Sequence, residues 1–313
     1  MVRTHLRRSI LRGLLAAAAI ALLSTESFAV DDPPLEVSLR SQTEQASGEF
    51  GPTFSDEKWD ARATAVIVCD MWDSHHCYRA VLRENQMVPR MENLLGHLRE
   101  RGVIIIHAPS SCVDAYAEHP ARIRVESIPG SETPENINSW CHSIPEEEAG
   151  VYPIDQTDGG EDDTPAEHAA WAASLEAKGL NPRAPWRKQH PGLTIDGDRD
   201  FISDRGDEVW SILQHHGIRN VILMGVHTNM CVLGRPFGLR QMAKNGMNVV
   251  LVRDLTDSMY NPRAWPYVSH REGTNRIISH IERFVCPTVT SDQFLGGEPF
   301  AFGPLKVQET AVE

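Results

Sequence analysis

Short apolar runs alternate with stretches of helical periodicity along most of the chain. Thr64–Cys69 (TAVIVC) is β-branched and apolar, which is typical of a strand buried on both faces of a parallel sheet. Apolar residues then recur at helical spacing from Met87 to Arg101, where Gly102 ends the pattern. Val103–His107 (VIIIH) predicts a second buried strand, which completes a βαβ unit.

The second half of the chain repeats this alternation. It predicts a helix over Ser203–His216, a strand over Val221–Met224, a helix over Val232–Lys244, a strand over Val249–Val252 and a helix over Gly273–Val285. Such alternation predicts a three-layer α/β/α fold with a mostly parallel sheet. We assign this domain to residues 61–290, preceded by an extension at 30–60 and followed by a tail at 291–313.

Residues 1–29 have the pattern of an export signal. Arginines precede an apolar run at Leu14–Leu23, and small residues follow at Ser27 and Ala29. The apolar run is too short to span a membrane. Arg7-Arg8 resembles a twin-arginine signal, with an ordinary secretory leader as the alternative. We expect an exported bacterial protein, periplasmic or extracellular, whose mature form has no membrane segment.

Charge and composition narrow the class of partner. The formal net charge is −13, which argues against binding to nucleic acid. From Val125 to Ala177 there are thirteen acidic residues and no Lys or Arg. We interpret residues 125–185 as a long insertion. Its cluster from Asp155 to Asp163 could bind Ca²⁺, and a solvated acidic loop is the alternative.

Other cofactors are not predicted. Neither GxGxxG nor GxxxxGK[ST] occurs, so no organic cofactor is implied. The six cysteines include no CxxC pair, which argues against a zinc site or a redox dithiol. One or two disulfides remain open, because spacing alone assigns no pairing.

Reactive groups follow two of the predicted strands, at the sheet edge where ligands bind in open parallel sheets. Asp70 follows the first strand, and Cys231 lies where the strand Val221–Met224 leads into a helix. A thiol near a helix N-terminus meets backbone N–H groups and a positive dipole, which lower its pKa and favour nucleophilic chemistry. The alternative is a small buried hydrophobic residue.

These residues resemble a known family. The segment G-x-x-T-x-x-C-V (Gly225, Thr228, Cys231, Val232), the strand-end Asp70 and the step from Gly246 to Asp254 are similar to isochorismatase-like cysteine hydrolases, which include nicotinamidases and carbamoyl-amide hydrolases. The resemblance covers roughly residues 64–285. It implies hydrolysis of a small amide or carbamoyl C–N bond through a cysteine thioester. Hydrolysis of a different bond and a catalytically silent binding protein are the alternatives.

The resemblance also implies particular residues. Asp70, Lys188 and Cys231 would form an Asp–Lys–Cys triad, with Arg187 as the alternative to Lys188. A cis peptide bond between Val226 and His227 would direct backbone N–H groups, including that of Met230, towards the oxyanion.

We further expect Trp72, His75, His76, Arg235 and Tyr260 to line a pocket for a small-molecule substrate, with Arg235 available to a substrate carboxylate. The alternative for the aromatic and histidine residues is simple packing. The chain lacks the closely spaced Asp and two His of nicotinamidases after the second strand, so no metal is predicted there. The family also implies a homo-oligomer of unspecified size.

Overall fold

The strands assemble into one eight-stranded sheet in a computed structural model that describes residues 33–306. The strands are β1 Leu35–Glu44, β2 Phe50–Trp59, β3 Thr64–Cys69, β4 Ile104–Ala108, β5 Phe201–Ile202, β6 Asn220–Val226, β7 Asn248–Asp257 and β8 Thr288–Val289. The helices are α1 Tyr78–Glu100, α2 Pro120–Glu126, α3 Pro165–Ala177, α4 Gly206–His215, α5 Leu239–Lys244, α6 His270–Phe284 and α7 Asp292–Leu295.

The strand order is β2-β1-β8-β7-β6-β3-β4-β5. The six strands from β8 to β5 pair in parallel, whereas β1 pairs antiparallel with both β2 and β8. This arrangement confirms the predicted α/β fold with a mostly parallel sheet. The segment predicted as an N-terminal extension contributes the β1–β2 hairpin to the same sheet.

Strand β3 shows why the sheet is covered on both faces. All six of its residues are buried, as the uniformly apolar sequence predicts. Ala65 and Ile67 pack into one apolar cluster with α4 and α6, while Val66 and Val68 pack into another with α1. Because successive side chains of a strand point to opposite faces, one strand contributes to both cores.

Two predicted helices differ most from those observed, while the bounds of α4 and α6 differ from the predicted ones by at most three residues. Helix α1 begins at Tyr78, nine residues before the predicted start at Met87. The predicted helix from Val232 to Lys244 is interrupted, because Thr228–Val232 forms a π-helical turn and α5 begins only at Leu239. Pro236 and Gly238 lie in the interruption, where a regular helix is disfavoured.

Several expectations remain predictions. The export signal at residues 1–29 and the last residues of the C-terminal tail, from 307 onward, lie outside the described residues. The oligomeric state is likewise still an expectation. Within residues 33–306, none of the helices has the length and apolar character to cross a membrane. All six cysteines are buried free thiols, so this structure contains none of the disulfides that the sequence analysis left open.

The acidic segment (residues 125–185) is attached to the domain through buried charge. Glu147 accepts hydrogen bonds from Arg240 Nε and Nη2, both at 2.7 Å, and its Oε1 lies 2.8 Å from His280 Nε2. Desolvation of Glu147 is outweighed by these partners, which lower the pKa of Glu147 to about 2. The carboxylate is therefore held by side chains of α5 and α6.

We predict that Arg240→Met destabilises the protein by about 3–5 kcal/mol, because Glu147 would remain buried without its guanidinium partner. Urea unfolding at neutral pH measures this loss. Arg276→Met is the matched control, since Arg276 forms only an exposed pair with Glu272 at 3.4 Å and its removal should change stability by less than about 0.5 kcal/mol. Equal losses in both variants would contradict the assignment.

Candidate active site

Asp70 follows β3 at the carboxyl edge of the sheet, and its side chain is completely buried. Its φ of 48° lies in the left-handed region, which Asp tolerates better than most residues. Oδ1 accepts a hydrogen bond from the Ser110 N–H at 2.8 Å, and Oδ2 accepts one from Arg235 Nε at 2.9 Å. These contacts supply the donors that a buried carboxylate needs.

Cys231 lies beside this ion pair, in the π-helical turn that follows β6, and is 9% exposed. Burial, and then the negative charge of Asp70, raise the pKa of the Cys231 thiol, while the positive charge of Arg235 acts in the opposite direction. The shift is opposite to the one expected from a helix N-terminus, because desolvation outweighs the backbone N–H groups. The resting group is therefore a thiol next to Asp70.

The cation beside Asp70 is Arg235 and not Lys188. The Lys188 side chain is exposed and forms no ion pair within residues 33–306, although its carbonyl oxygen accepts a 2.9 Å hydrogen bond from the Asp73 N–H. The neighbouring Arg187 is also exposed, and its guanidinium donates to the Gly179 carbonyl. The sequence-based expectation for a lysine in the triad is thus not supported by this geometry.

Arg235 reaches Asp70 because of its spacing from the thiol. It lies four residues after Cys231, and its N–H donates to the Cys231 carbonyl oxygen at 3.0 Å, so both residues share one face of a helical turn. The guanidinium carbon lies 5.5 Å from the centroid of the Trp140 ring, which covers it from the acidic segment. The sequence analysis singled out Arg235, but for a substrate carboxylate rather than for Asp70.

The turn that carries Cys231 is fixed by contacts with the end of β7 and the loop after it. The expected cis bond between Val226 and His227 is confirmed. Asn229 exchanges two 2.8 Å hydrogen bonds with the backbone of Met259, and Thr228 Oγ1 lies 2.7 Å from Thr256 Oγ1. The Met230 N–H donates to the His227 carbonyl at 2.9 Å, so this predicted oxyanion donor is already used inside the turn.

Aromatic and imidazole rings cluster near Asp70. Trp72 stacks on Trp186 with ring centroids 4.7 Å apart, and its Nε1 donates to the Ser110 carbonyl. His75 lies 4.8 Å from His227 and 4.1 Å from His76, centroid to centroid. Of the expected pocket residues, the structure therefore brings Trp72, His75 and His76 together in one cluster with His227.

The histidines of this cluster favour the neutral form. Burial lowers the pKa of His227 to about 3, and desolvation also lowers the pKa of His75 and His76. His227 Nε2 and Ser110 Oγ are buried and have no hydrogen-bond partner among the described residues. Since buried polar atoms are normally paired, these two atoms are candidates for contact with a bound substrate, and sequence reasoning missed Ser110.

Tyr260 does not fit the role expected from the sequence. Its side chain is completely buried. Its hydroxyl donates to the Ala264 carbonyl at 3.1 Å and accepts from the Val268 N–H at 3.2 Å. The ring and the hydroxyl therefore stabilise their own loop, and Tyr260 is corrected from a pocket residue to a structural one.

The acidic segment lies over the turn that carries Cys231. Tyr152 and Gln156 both donate to the Asn229 carbonyl oxygen, and a cavity of about 460 Å³ between these elements is also lined by Met230. The carboxylates of Asp155 and Asp158 accept hydrogen bonds from N–H groups two residues ahead. Calcium at the acidic segment stays a prediction.

A family model described as the isochorismatase domain matches residues 64–265. The chain thus belongs to the isochorismatase family of hydrolases, which confirms the resemblance stated from the sequence. A comparison with curated protein sequences found no match.

Three solved structures illustrate distant similarity. A cysteine hydrolase from Pseudomonas syringae pv. phaseolicola 1448A is 16% identical over 74% of this chain and 91% of its own, with a TM-score of 0.43. N-carbamoylsarcosine amidase from Thermoplasma acidophilum is 12% identical over 73% of this chain and 96% of its own, with a TM-score of 0.38. Nicotinamidase/pyrazinamidase from Bacillus subtilis is 15% identical over 72% of this chain and 98% of its own, with a TM-score of 0.35. Similarity at this level says nothing about the substrate.

We predict that Asp70→Asn lowers the pKa of the Cys231 thiol, because the negative charge that raises it is removed. Alkylation of Cys231 should then be faster at a pH below the ordinary thiol pKa of about 8.5. Peptide-resolved mass spectrometry after a brief reaction with a small thiol reagent measures the rate.

Arg235→Met should act in the opposite direction and slow the alkylation of Cys231, since it removes the positive charge that opposes the raised pKa. Cys286 is the internal control, because its pKa is raised by its own burial and no influence of Asp70 or Arg235 acts on it. Unchanged labelling of Cys231 in both variants would show that the ion pair does not govern the thiol.

Proposed function

We propose that the protein hydrolyses a small amide or carbamoyl C–N bond, with Cys231 as nucleophile, Asp70 as general base and acid, and Arg235 as the cation that orients Asp70. The observation that carries this proposal is the Arg235 Nε–Asp70 Oδ2 contact of 2.9 Å beside a buried thiol. The membership in a family of hydrolases supports the general class of reaction. The substrate class and the thioester are the proposed part.

The first half-reaction transfers one proton and forms one bond. The Cys231 Sγ–H proton moves to Asp70 as sulfur attacks the carbonyl carbon, and the carbonyl oxygen becomes an oxyanion. The raised thiol pKa fits this order, because the proton leaves the sulfur only when the base and the substrate are both in place. Asp70 then returns the proton to the leaving nitrogen as the C–N bond breaks, which leaves an acyl thioester.

The second half-reaction releases the acid. Asp70 takes a proton from water, the water oxygen attacks the thioester carbon, and the C–S bond breaks as the proton returns to sulfur. Arg235 does not exchange protons in either step, since a guanidinium stays charged. Its role is to hold the Asp70 carboxylate in place and to offset the negative charge that develops when the thiol is deprotonated.

The proposed site favours a small substrate. Trp72 and Trp186 stack near Asp70, and Trp140 covers Arg235, so aromatic rings lie on both sides of the ion pair beside Cys231. The unpaired Ser110 Oγ and His227 Nε2 offer one hydroxyl and one neutral imidazole to the polar end of the substrate. A compact, neutral primary amide or carbamoyl group matches such surroundings better than a large or highly charged molecule.

We predict that Cys231→Ser lowers kcat at least about 1,000-fold against a panel of small amides and carbamoyl compounds, because the nucleophile is lost. Intact-protein mass spectrometry of the wild type should show an acyl adduct that the variant lacks. Turnover of a non-amide compound, such as a vinyl ether, that survives in Cys231→Ser would instead favour hydrolysis without the cysteine. Absence of turnover and of an adduct in the wild type across the panel would count against the proposal.

Arg235→Met tests the cation separately, and we predict a loss of about 100-fold in kcat with a smaller change in KM. Arg235→Lys should restore part of the rate, because an ammonium group also supplies a positive charge. Arg271→Met, at an exposed position of α6, is the matched control. A large loss with Lys188→Met and none with Arg235→Met would return the role to the lysine expected from the sequence.

A further inference from the structure

A second group of reactive side chains lies where helix α3 meets the start of helix α1. One ligand atom each of Glu161, Asp163 and His168 lie within 4.8 Å of one another. Asp163 is only 4% exposed, Glu161 is half-buried and His168 is exposed. Two carboxylates and an imidazole in this arrangement are the donors that divalent transition metals bind.

His76 adds an independent observation. It lines a cavity of about 510 Å³ together with Glu161 and His168. Its Nδ1 atom is shielded from solvent and has no hydrogen-bond partner among the described residues. An imidazole binds a metal ion through a ring nitrogen that carries no proton, so an unpartnered ring nitrogen beside this cavity is a candidate ligand. A solvated acidic loop would leave this buried nitrogen unexplained.

The carboxylate of Asp162, the residue before Asp163, is not part of the proposed cluster. Asp162 accepts two hydrogen bonds from Arg83, both at 2.9 Å, and is thereby committed to an ion pair. Asp163 instead accepts hydrogen bonds from the Tyr78 and Arg79 N–H groups at 2.7 and 2.9 Å, which orient its carboxylate at the start of α1. Carboxylates fixed in this way from outside bind a metal more tightly than free ones.

We propose that Glu161, Asp163 and His168 bind one divalent transition metal ion of the zinc type, with His76 in the wall of the same cavity as the fourth ligand. The imidazoles select against Ca²⁺ and Mg²⁺, which prefer ligand sets made of oxygen atoms alone. The ion would replace the direct contact between Glu161 and His168.

The proposed metal site lies between two segments of the chain that an ion would hold together. The ion would connect the acidic segment to the loop that precedes α1, which contains His75 and His76. The Trp171 Nε1 of α3 already donates to the His75 carbonyl at 2.8 Å. Since the His75 ring lies 4.8 Å from that of His227, the ion would fix the loop beside the candidate nucleophile without touching the reacting atoms. The proposal does not depend on the reaction proposed above.

Calorimetric titration of the chelator-treated full chain with Zn²⁺ tests the site. We expect one ion per chain and a higher unfolding temperature in its presence. His168→Ala and Glu161→Gln should each weaken binding by at least about tenfold. His215→Ala, an exposed histidine of α4, is the matched control and should bind as the wild type does. Equal affinity in all variants, or binding of Ca²⁺ but not Zn²⁺, would overturn the proposal.

Titration with Co²⁺ identifies the ligands by a second measurement. Oxygen and nitrogen ligands should give only weak visible bands, and these should disappear in His168→Ala. The Cys77 Sγ atom lies within 4.8 Å of carboxylate oxygens of Asp162 and Asp163. An intense thiolate charge-transfer band would therefore assign the ion to Cys77 and would overturn the proposed ligand set. Both measurements report binding, so their outcome does not depend on finding a substrate.

Discussion

The buried ion pair between Asp70 and Arg235 is the constraint on which the candidate active site depends. A carboxylate with no exposed surface is costly unless charge and hydrogen bonds compensate it. Compensation comes from two separate parts of the chain, the Ser110 N–H after β4 and the Arg235 guanidinium after β6. The requirement therefore joins three strand ends, and it places the Asp70 carboxylate beside the Cys231 thiol.

The end of β6 can approach the end of β3 this closely only because the residue at the contact is a glycine. Gly225 has a φ of 115°, and a Cβ atom there would lie 2.0 Å from the Cys69 carbonyl oxygen. Only glycine tolerates both the positive φ and the short distance, and it therefore allows the turn that carries Cys231 to approach the end of β3. The interruption of the helix before α5 has a related consequence. Arg235 lies at the beginning of this interruption, where the chain leaves the helical path, and its side chain reaches Asp70.

The sequence predicted the elements that burial determines and missed those that depend on distant contacts. Strand β3 was predicted to the residue because each of its positions is buried. Strand β2 was missed because most of its residues are exposed and carry no apolar run. The partner of Asp70 was also missed, since Arg235 follows it by 165 positions and no local pattern records the contact. Tyr260 was misread because an aromatic residue in a loop can face either the site or its own loop.

The composition of the acidic segment also explains how this segment is attached to the domain. From Val125 to Ala177 the chain has no Lys or Arg of its own, so its buried carboxylates must find cations elsewhere. Glu147, Asp162 and Glu167 pair with Arg240, Arg83 and Arg79, which belong to α5 and α1. The segment is thus attached through charge as well as apolar packing. The carboxylates of Glu161 and Asp163 form no ion pair with an arginine within residues 33–306, and they lie beside the histidines of the proposed metal site.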